Sequence, residues 1–330
     1  MGPLNGRRVA THVAAVGVIA GAVSAPITGL VHADLKLLAA EGPLAGSETA
    51  LILGGTTEPT PSPEFARTAE DLFLHPLGFD GGATDSLVCT MNGTDPCSAP
   101  LQVLTTPELV QQGPSSLTGA SNVVLAVENE FAANPGAFSA EHPLTIFGYS
   151  QSATAESIAM THLAAAGIPS NDLHFVFIGD PSAPVTGVWP NLEADMEATI
   201  GPSLTNYLLT TFDMNQVLGN VTPNDLYPAT IYSYDPDPVP NFQQSFEANG
   251  LWGALLNIFY PHVEYLGLTP EEVANATTTV DGDLTFQHIT DVGVNQPEAW
   301  LNAVFVGGAA NSGLLQSVSD SIGLLFNNAY

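Results

Sequence analysis

The stretch TIFGYSQSATAESIAM, residues 145–160, decides the fold of this chain. It begins as an apolar, β-prone run and continues with alanines at helix-like spacing. Strand and helix meet at GYSQS, residues 148–152. A serine between small residues at such a turn is typical of a nucleophile elbow, G-x-S-x-G, and here Ser152 replaces the second glycine. The alternative is a Ser150 that only caps the helix.

Outside this stretch the chain alternates short apolar runs with helical patterns. Strands are predicted at 50–53, 144–147, 174–178 and 230–234. Such alternation predicts a mostly parallel central sheet flanked by helices, and the elbow makes it an α/β-hydrolase fold. Two long segments with apolar residues, 187–228 and 240–278, are expected to be cap or lid elements over the carboxyl edge of the sheet. Residues 84–115 are turn-rich, and no element is predicted there.

Charge restricts the partners. The 330 residues include 4 Lys and Arg against 33 Asp and Glu, and 45% are hydrophobic. This composition suits one large folded domain. A surface this acidic repels phosphate backbones, so a nucleic-acid partner is not expected. A neutral ester or lipid is the better expectation for a substrate.

The N-terminal part of the sequence predicts export. Residues 1–33 combine Arg7 and Arg8 with an uncharged apolar run, and they end in a small-x-small site before Asp34, as secretory signals do. An uncleaved membrane anchor is the alternative. Residues 34–330 are then the hydrolase domain, expected to be secreted or held in the cell envelope. In that compartment Cys89 and Cys97, which bracket a turn-forming stretch, are expected to form a disulfide.

A serine nucleophile needs a histidine as its base and an acid that orients this histidine. In α/β-hydrolases the three residues follow one another along the chain in the order serine, acid, histidine. His262 follows an apolar segment and a proline and is expected in a loop, whereas His288 alternates like a strand residue. His262 is therefore preferred over His288. For the acid, Asp235 directly follows the strand TIYSY and is preferred, with Asp237 as the alternative. Asp180 comes one strand earlier and is interpreted as a turn residue.

The oxyanion hole of such an enzyme needs two backbone N–H donors. One belongs to the residue after the nucleophile, here Gln151, and the other to a loop after an early strand. The loop 54–57, with Gly55 and Thr56, fits that place because glycine lets the backbone approach the substrate. A phosphate-binding loop is excluded, since no lysine lies nearby. No cluster of His or Cys indicates a metal site, and no organic cofactor is implied.

Several stretches together resemble one known family. They are LILGGTTEPTPSPEF, LTTPEL, IFGYSQSATAES, FVFIGDPSAP, TIYSYDPDPVP and LLNIFYPHVEY. The chain resembles, from about residue 50 to about residue 290, the PE-PPE domain family of mycobacterial serine α/β hydrolases, relatives in fold of cutinases. The resemblance implies a carboxylesterase for short- to medium-chain acyl esters. It implies a triad of Ser150, His262 and either Asp235 or Asp237.

The chain departs from the family pattern at two places. It reads YDPDPVPNF where the family has a YD-x-x-ADFP-like stretch, which leaves the choice of acid open, and it has Val263 where the family often has glycine. Two other functions stay open beside the esterase. One is an acyltransferase of cell-envelope lipid assembly, in which a sugar or lipid alcohol replaces water. The other is a non-catalytic lipid-binding surface protein on a hydrolase scaffold.

Overall fold

A computed structural model describes residues 42–81, 87–258, 260–290 and 303. The predicted signal segment, residues 1–33, lies outside the described residues. Within them, eight strands form one sheet in the order β2-β3-β1-β4-β5-β6-β8-β7. The strands are Ala50–Ile52 (β1), Val88–Thr90 (β2), Leu101–Val103 (β3), Leu144–Tyr149 (β4), Leu173–Ile178 (β5), Ala229–Tyr234 (β6), Thr277–Asp281 (β7) and Leu284–Ile289 (β8).

The sheet is mostly parallel, as predicted. Every neighbouring pair runs parallel except β7 and β8, which form an antiparallel hairpin at one edge. Strands β2 and β3 lie in the segment for which the sequence predicted no element. Each has three residues, too few to show an alternating or helical period.

Helices cover both faces of the sheet. The helices of the described part are Pro63–Ala69 (α1), Gln112–Ala133 (α2), Gln151–Ala166 (α3), Val188–Ile200 (α4), Pro202–Thr211 (α5), Phe242–Asn257 (α6) and Pro270–Ala274 (α7). Alternate residues of β1 face opposite sides: Leu51 packs with α2 and α3, and Ile52 packs with α1 and α7. A π-helical turn at Glu70–Leu74 and a 3₁₀ segment at Pro261–Gly267 complete the second layer.

A cap lies beyond the ends of β5 and β6. Helices α4, α5 and α6 enclose a hydrophobic cluster of their own, which includes Trp189, Leu192 and Phe242. The indole N–H of Trp189 donates to Thr154 Oγ1 on α3 at 2.9 Å and attaches the cap to the sheet layers. These helices follow the carboxyl ends of their strands, where the sequence predicted a cap. Among the described residues, no helix combines the length and the apolar character needed to cross a bilayer.

Candidate active site

The turn between β4 and α3 has the geometry of a nucleophile elbow. Ser150 has φ 57° and ψ −113°. Residues other than glycine rarely adopt such a positive φ. Its N–H donates to the carbonyl of Ile178 on β5 at 3.1 Å, which ties the turn to the sheet. Such strain is kept where the surrounding structure requires it, often at functional sites.

Ser152 and Gly148 explain how this version of the motif closes. The Ser152 hydroxyl accepts from the Tyr149 N–H at 2.8 Å and donates to the Tyr149 carbonyl at 3.1 Å, so the replacement for glycine fastens the turn. At Gly148 a Cβ would lie 2.4 Å from Glu156 Oε1, so a side chain at this position would displace the buried Glu156 carboxyl group. The sequence showed only that Ser152 is small.

The Ser150 side chain faces a histidine and not the helix. Ser150 precedes α3, yet its hydroxyl makes no capping hydrogen bond. Instead Ser150 Oγ lies 2.7 Å from His262 Nε2. The capping alternative does not hold, and His262 is the histidine that reaches the serine. His288 lies on β8, as its alternating pattern predicted, and pairs with Thr279 Oγ1 at 3.0 Å.

His262 is held from several directions. It lies in the 3₁₀ segment Pro261–Gly267, and the Tyr149 hydroxyl donates to its backbone carbonyl. Its ring packs against Gly179, where a Cβ would come within 2.7 Å of Cε1. The imidazole is therefore fixed by contacts with β4 and with the end of β5.

The predicted position of the acid is corrected by the structure. Asp237, not Asp235, contacts His262: its Oδ2 lies 2.8 Å from Nδ1. Asp235 stays in the sheet, because its N–H donates to the carbonyl of Ile289 at 2.9 Å, and its side chain is exposed. The chain turns only afterwards, with the Asp237 N–H bonded to the Tyr234 carbonyl at 2.8 Å. The hydrogen bond to Ile289 thus holds Asp235 in the sheet and away from the histidine.

Three donors converge on Asp237. Besides His262, Tyr265 donates its hydroxyl to Oδ2 at 3.0 Å, and the Val239 N–H donates to Oδ1 at 2.9 Å. Asn241 clamps the same loop, since its amide donates to the carbonyls of Tyr234 and Asp237. Burial, followed by the charge of Asp237, raises the pKa of Tyr265 well above its usual value, so the phenol stays a donor.

Sequence reasoning missed Tyr265 and Asn241. Tyr265 lies three residues after His262, which on a 3₁₀ segment puts the two side chains on the same face. That spacing was a usable signal for Tyr265. For Asn241 no such signal exists, because its role depends on how the loop folds back.

The residues predicted for the oxyanion hole lie beside the serine. A Cβ on Gly55 would lie 3.3 Å from the Ser150 Cβ, so the loop passes directly over the elbow. Thr56 Oγ1 accepts from the Gln112 side chain at 3.1 Å. Gln151 is the first residue of α3, where helix N–H groups have no acceptor within the helix. Its side chain is buried and bonds to Ser115 and to the Leu109 carbonyl.

Asp180 serves a turn, as interpreted from the sequence. It is fully buried, with Oδ1 accepting from the Ser182 N–H at 2.8 Å and Oδ2 from the Thr222 hydroxyl at 2.7 Å. Burial raises its pKa to about 6, and these two hydrogen bonds act in the opposite direction.

Two features lie away from the serine. Cys89 and Cys97 form a disulfide, as predicted. In the described part of the chain, one group has side-chain ligand atoms close enough to hold a metal ion: Glu70, Asp71 and His75. His75 contacts both carboxylates at 3.3 Å, and the hydrogen bond with Glu70 is the main reason why the pKa of His75 is raised.

Comparison with known families adds to this geometry. The model of the PE-PPE domain matches residues 86–290, which is more than half of the sequence. The chain belongs to the PE-PPE domain family. The match includes Ser150, Asp237 and His262, and so confirms the resemblance seen in the motifs.

Two relatives of this PE-PPE protein come from Mycobacterium tuberculosis. The uncharacterized PPE family protein PPE28 is 29% identical over 79% of this chain and 36% of its own length. Esterase PE16 is 31% identical over 70% of this chain and 39% of its own length. The chain therefore spans well under half the length of these relatives.

The solved structures that match this chain are distant from it. A cutinase-like protein from Cryptococcus sp. is 15% identical, with a TM-score of 0.37, over 81% of this chain and 99% of its own. RedJ, solved with a polyethylene glycol molecule in its active site, is 15% identical, with a TM-score of 0.35, over 88% of this chain and 93% of its own. The fold assignment rests on the parallel sheet and the elbow of this chain itself.

Proposed function

We propose that this PE-PPE domain is a serine ester hydrolase that acts on uncharged acyl esters of short to medium chain length, or on lipids. The observation that carries the proposal is the continuous chain of hydrogen-bond contacts from Ser150 Oγ through His262 to Asp237. A nucleophile, a base within reach and an acid that orients the base define this chemistry. The printed name of the relative Esterase PE16 supports the same reaction class.

In the proposed reaction, Ser150 Oγ attacks the ester carbonyl while His262 Nε2 accepts the hydroxyl proton. Asp237 keeps Nδ1 protonated and stabilises the imidazolium that forms. The tetrahedral oxyanion is held by the N–H of Gln151 and by the loop at Gly55 and Thr56. His262 then protonates the departing alcohol, and a water molecule attacks the acyl-enzyme with His262 again as the base. These steps need only the side chains, backbone and water.

The surroundings of the proposed reaction also favour an exported protein. The disulfide between Cys89 and Cys97 is stable in an oxidising compartment. The sequence has 33 acidic and 4 basic residues, and the resulting negative charge repels anionic substrates and favours a neutral ester. We therefore place the activity outside the cytoplasm, in the cell envelope or the medium.

The test is fluorophosphonate labelling together with turnover of a soluble p-nitrophenyl ester. We expect the wild-type protein to be labelled and active. Ser150→Ala is expected to abolish both signals, and His262→Ala to abolish turnover, whereas the strand variant His288→Ala serves as the matched control and stays active. A folded wild type that is neither labelled nor active would favour the non-catalytic alternative, and activity retained in Ser150→Ala would refute the proposal.

A further inference from the structure

The second half of α6 presents apolar side chains to solvent. Gly250, at φ 69° and ψ 174°, breaks the helix. After the break Leu251 and Ala254 are buried in the cap, whereas Trp252 is 59% exposed and Leu256 is 69% exposed. Trp252 and Leu256 are four residues apart and lie on one face of the helix.

This segment has no charge in an otherwise acidic protein. Between Glu247 and Glu264 the sequence contains no Asp, Glu, Lys or Arg. Elsewhere the chain carries a formal net charge of −29. The exposed face of the second half of α6 therefore combines apolar surface with electrical neutrality.

The same segment joins the two partners of the candidate triad. It runs from the loop that holds Asp237 to the turn that holds His262, and Tyr260, two residues before that histidine, is 38% exposed. Two more exposed apolar side chains lie on carboxyl-edge loops. Leu109, 53% exposed, follows β3 and bonds through its carbonyl to the Gln151 side chain. Val185, 79% exposed, follows β5.

The exposed Val185 has a strained backbone conformation. Its φ of 68° is rare for a β-branched residue, and the Thr186 N–H donates to the Pro184 carbonyl at 2.8 Å across it. The Asn191 side chain fixes the turn by donating to the Val185 carbonyl at 2.8 Å. An exposed apolar side chain held by strained backbone, as at Val185, indicates a binding surface.

We propose that these five side chains, the apolar rim of Trp252, Leu256, Tyr260, Leu109 and Val185, dock the protein on the surface of an uncharged or zwitterionic lipid aggregate. This inference rests on the proposed function, because a lipid surface bound at the apolar rim would supply the ester that Ser150 cleaves. Tryptophan favours the boundary between water and lipid, where its ring is buried and its N–H stays wet.

Charge selects this occupant over the others. An anionic lipid surface is repelled by the acidic domain, in whose described part Arg67 is the one Lys or Arg residue. A second copy of the chain would bring another net charge of −29 to the same contact. An uncharged lipid surface meets the neutral rim without either penalty.

The test measures binding without catalysis, so that it stands apart from the test of the esterase. Ser150→Ala protein is sedimented with phosphatidylcholine vesicles, and the bound fraction is compared with that of the Trp252→Ala/Leu256→Ala variant in the same background. We expect partition to fall about tenfold or more, because both apolar side chains leave the interface. The matched control, Leu117→Ala/Leu125→Ala, removes exposed leucines of α2 and is expected to bind like its parent.

Further readouts keep the inference falsifiable. Leu256→Asn alone is expected to weaken binding in case the double variant unfolds, which circular dichroism checks. Brominated phosphatidylcholine is expected to quench tryptophan fluorescence, and Trp252→Phe to remove that quenching. The inference is overturned if the parent does not bind phosphatidylcholine, if it binds only anionic vesicles, or if the α2 control loses as much binding. It is equally overturned if the rim variants only convert a dimer to a monomer.

Discussion

Asp237 and two buried glutamates, Glu108 and Glu156, differ in how many hydrogen-bond donors reach their carboxyl groups. Asp237, after β6, accepts hydrogen bonds from His262, Tyr265 and the Val239 N–H. Glu108, after β3, has one oxygen bonded to the Thr106 hydroxyl at 2.8 Å, while its Oε2 finds no partner in the described structure.

Glu156, on α3, has even fewer hydrogen-bond partners than Glu108. Neither of its carboxyl oxygens has a hydrogen-bond partner among the described residues, and the side chain is fully buried. Burial, followed by the charges of Asp180 and Glu108, raises the pKa of Glu156 well above its usual value. Burial likewise raises the pKa of Glu108 to about 8.

The difference shows that partners, and not burial alone, decide whether a carboxyl group can act as an anion inside this fold. Three donors stabilise the carboxylate of Asp237, so it can balance an imidazolium. Among the described residues Glu108 has one such donor and Glu156 has none, so burial favours their neutral forms. Asp237 is therefore suited to catalysis, whereas Glu108 and Glu156 are suited to packing in their neutral forms.

The strongest way to break this comparison is to remove the charge of Asp237. We expect Asp237→Asn to lower kcat for a soluble ester on the order of 10⁴-fold, because the histidine would take the wrong tautomer. The matched control is Asp235→Asn, two residues earlier, which is expected to keep most of the turnover since its exposed side chain does not touch His262. Steady-state kinetics on both folded variants decides, and the reverse ranking would return Asp235 to the role of acid.

A smaller effect is expected when one donor to Asp237 is removed. Tyr265→Phe deletes a hydrogen bond to a charged group, which contributes about 1.5–3 kcal/mol, so kcat is expected to fall about 10- to 100-fold. Steady-state kinetics on the folded variant measures this loss.

The matched control for Tyr265 is Tyr227→Phe. Tyr227 is a buried tyrosine whose hydroxyl donates to the Ile168 carbonyl at 2.9 Å, just beyond the end of α3 that lies away from Ser150. Tyr227→Phe is expected to lose stability and to keep the wild-type kcat. A Tyr265→Phe variant with the wild-type kcat would reduce Tyr265 to a packing role.

The sheet and the elbow could be predicted from sequence because their signals are local. The apolar run of β4, the small residues at 148–152 and the helical spacing of α3 are continuous in the chain. The order of serine, acid and histidine left His262 and His288, and the loop pattern around His262 favoured that residue, which the structure places 2.7 Å from Ser150. These features need no knowledge of distant contacts.

The acid could not be ranked correctly for a physical reason. The pattern ends the strand at Tyr234, but the hydrogen bond from Asp235 to Ile289 depends on β8, more than fifty residues later. Likewise, the turn of Asp237 back to Tyr234 and the hydrogen bond from the Asn241 amide, which bring Asp237 inward, leave no signal in the local sequence. Both contacts follow from the tertiary fold.

The smallest expected effect on turnover, but a distinct effect on stability, concerns Glu108. In the unfolded chain its carboxyl ionises near the usual 4.5, whereas in the folded protein its pKa is about 8. Between these values the folded state holds a proton that the unfolded chain has released, so stability from this group is complete below pH 4.5 and falls as the pH rises towards 8. The slope for one such proton is at most about 1.4 kcal/mol per pH unit.

We expect Glu108→Gln, which mimics the neutral acid, to flatten the fall of unfolding free energy between pH 5 and pH 8, the window set by the raised pKa of about 8. Turnover near neutral pH should stay close to that of the wild type, because Glu108 touches neither Ser150 nor His262. Denaturant unfolding at several pH values measures the slope, and the exposed Glu128→Gln on α2 is the matched control that should leave it unchanged. If Glu108→Gln keeps the wild-type slope, as the Glu128→Gln control is expected to, Glu108 is ionised in the fold and the contrast with Asp237 fails.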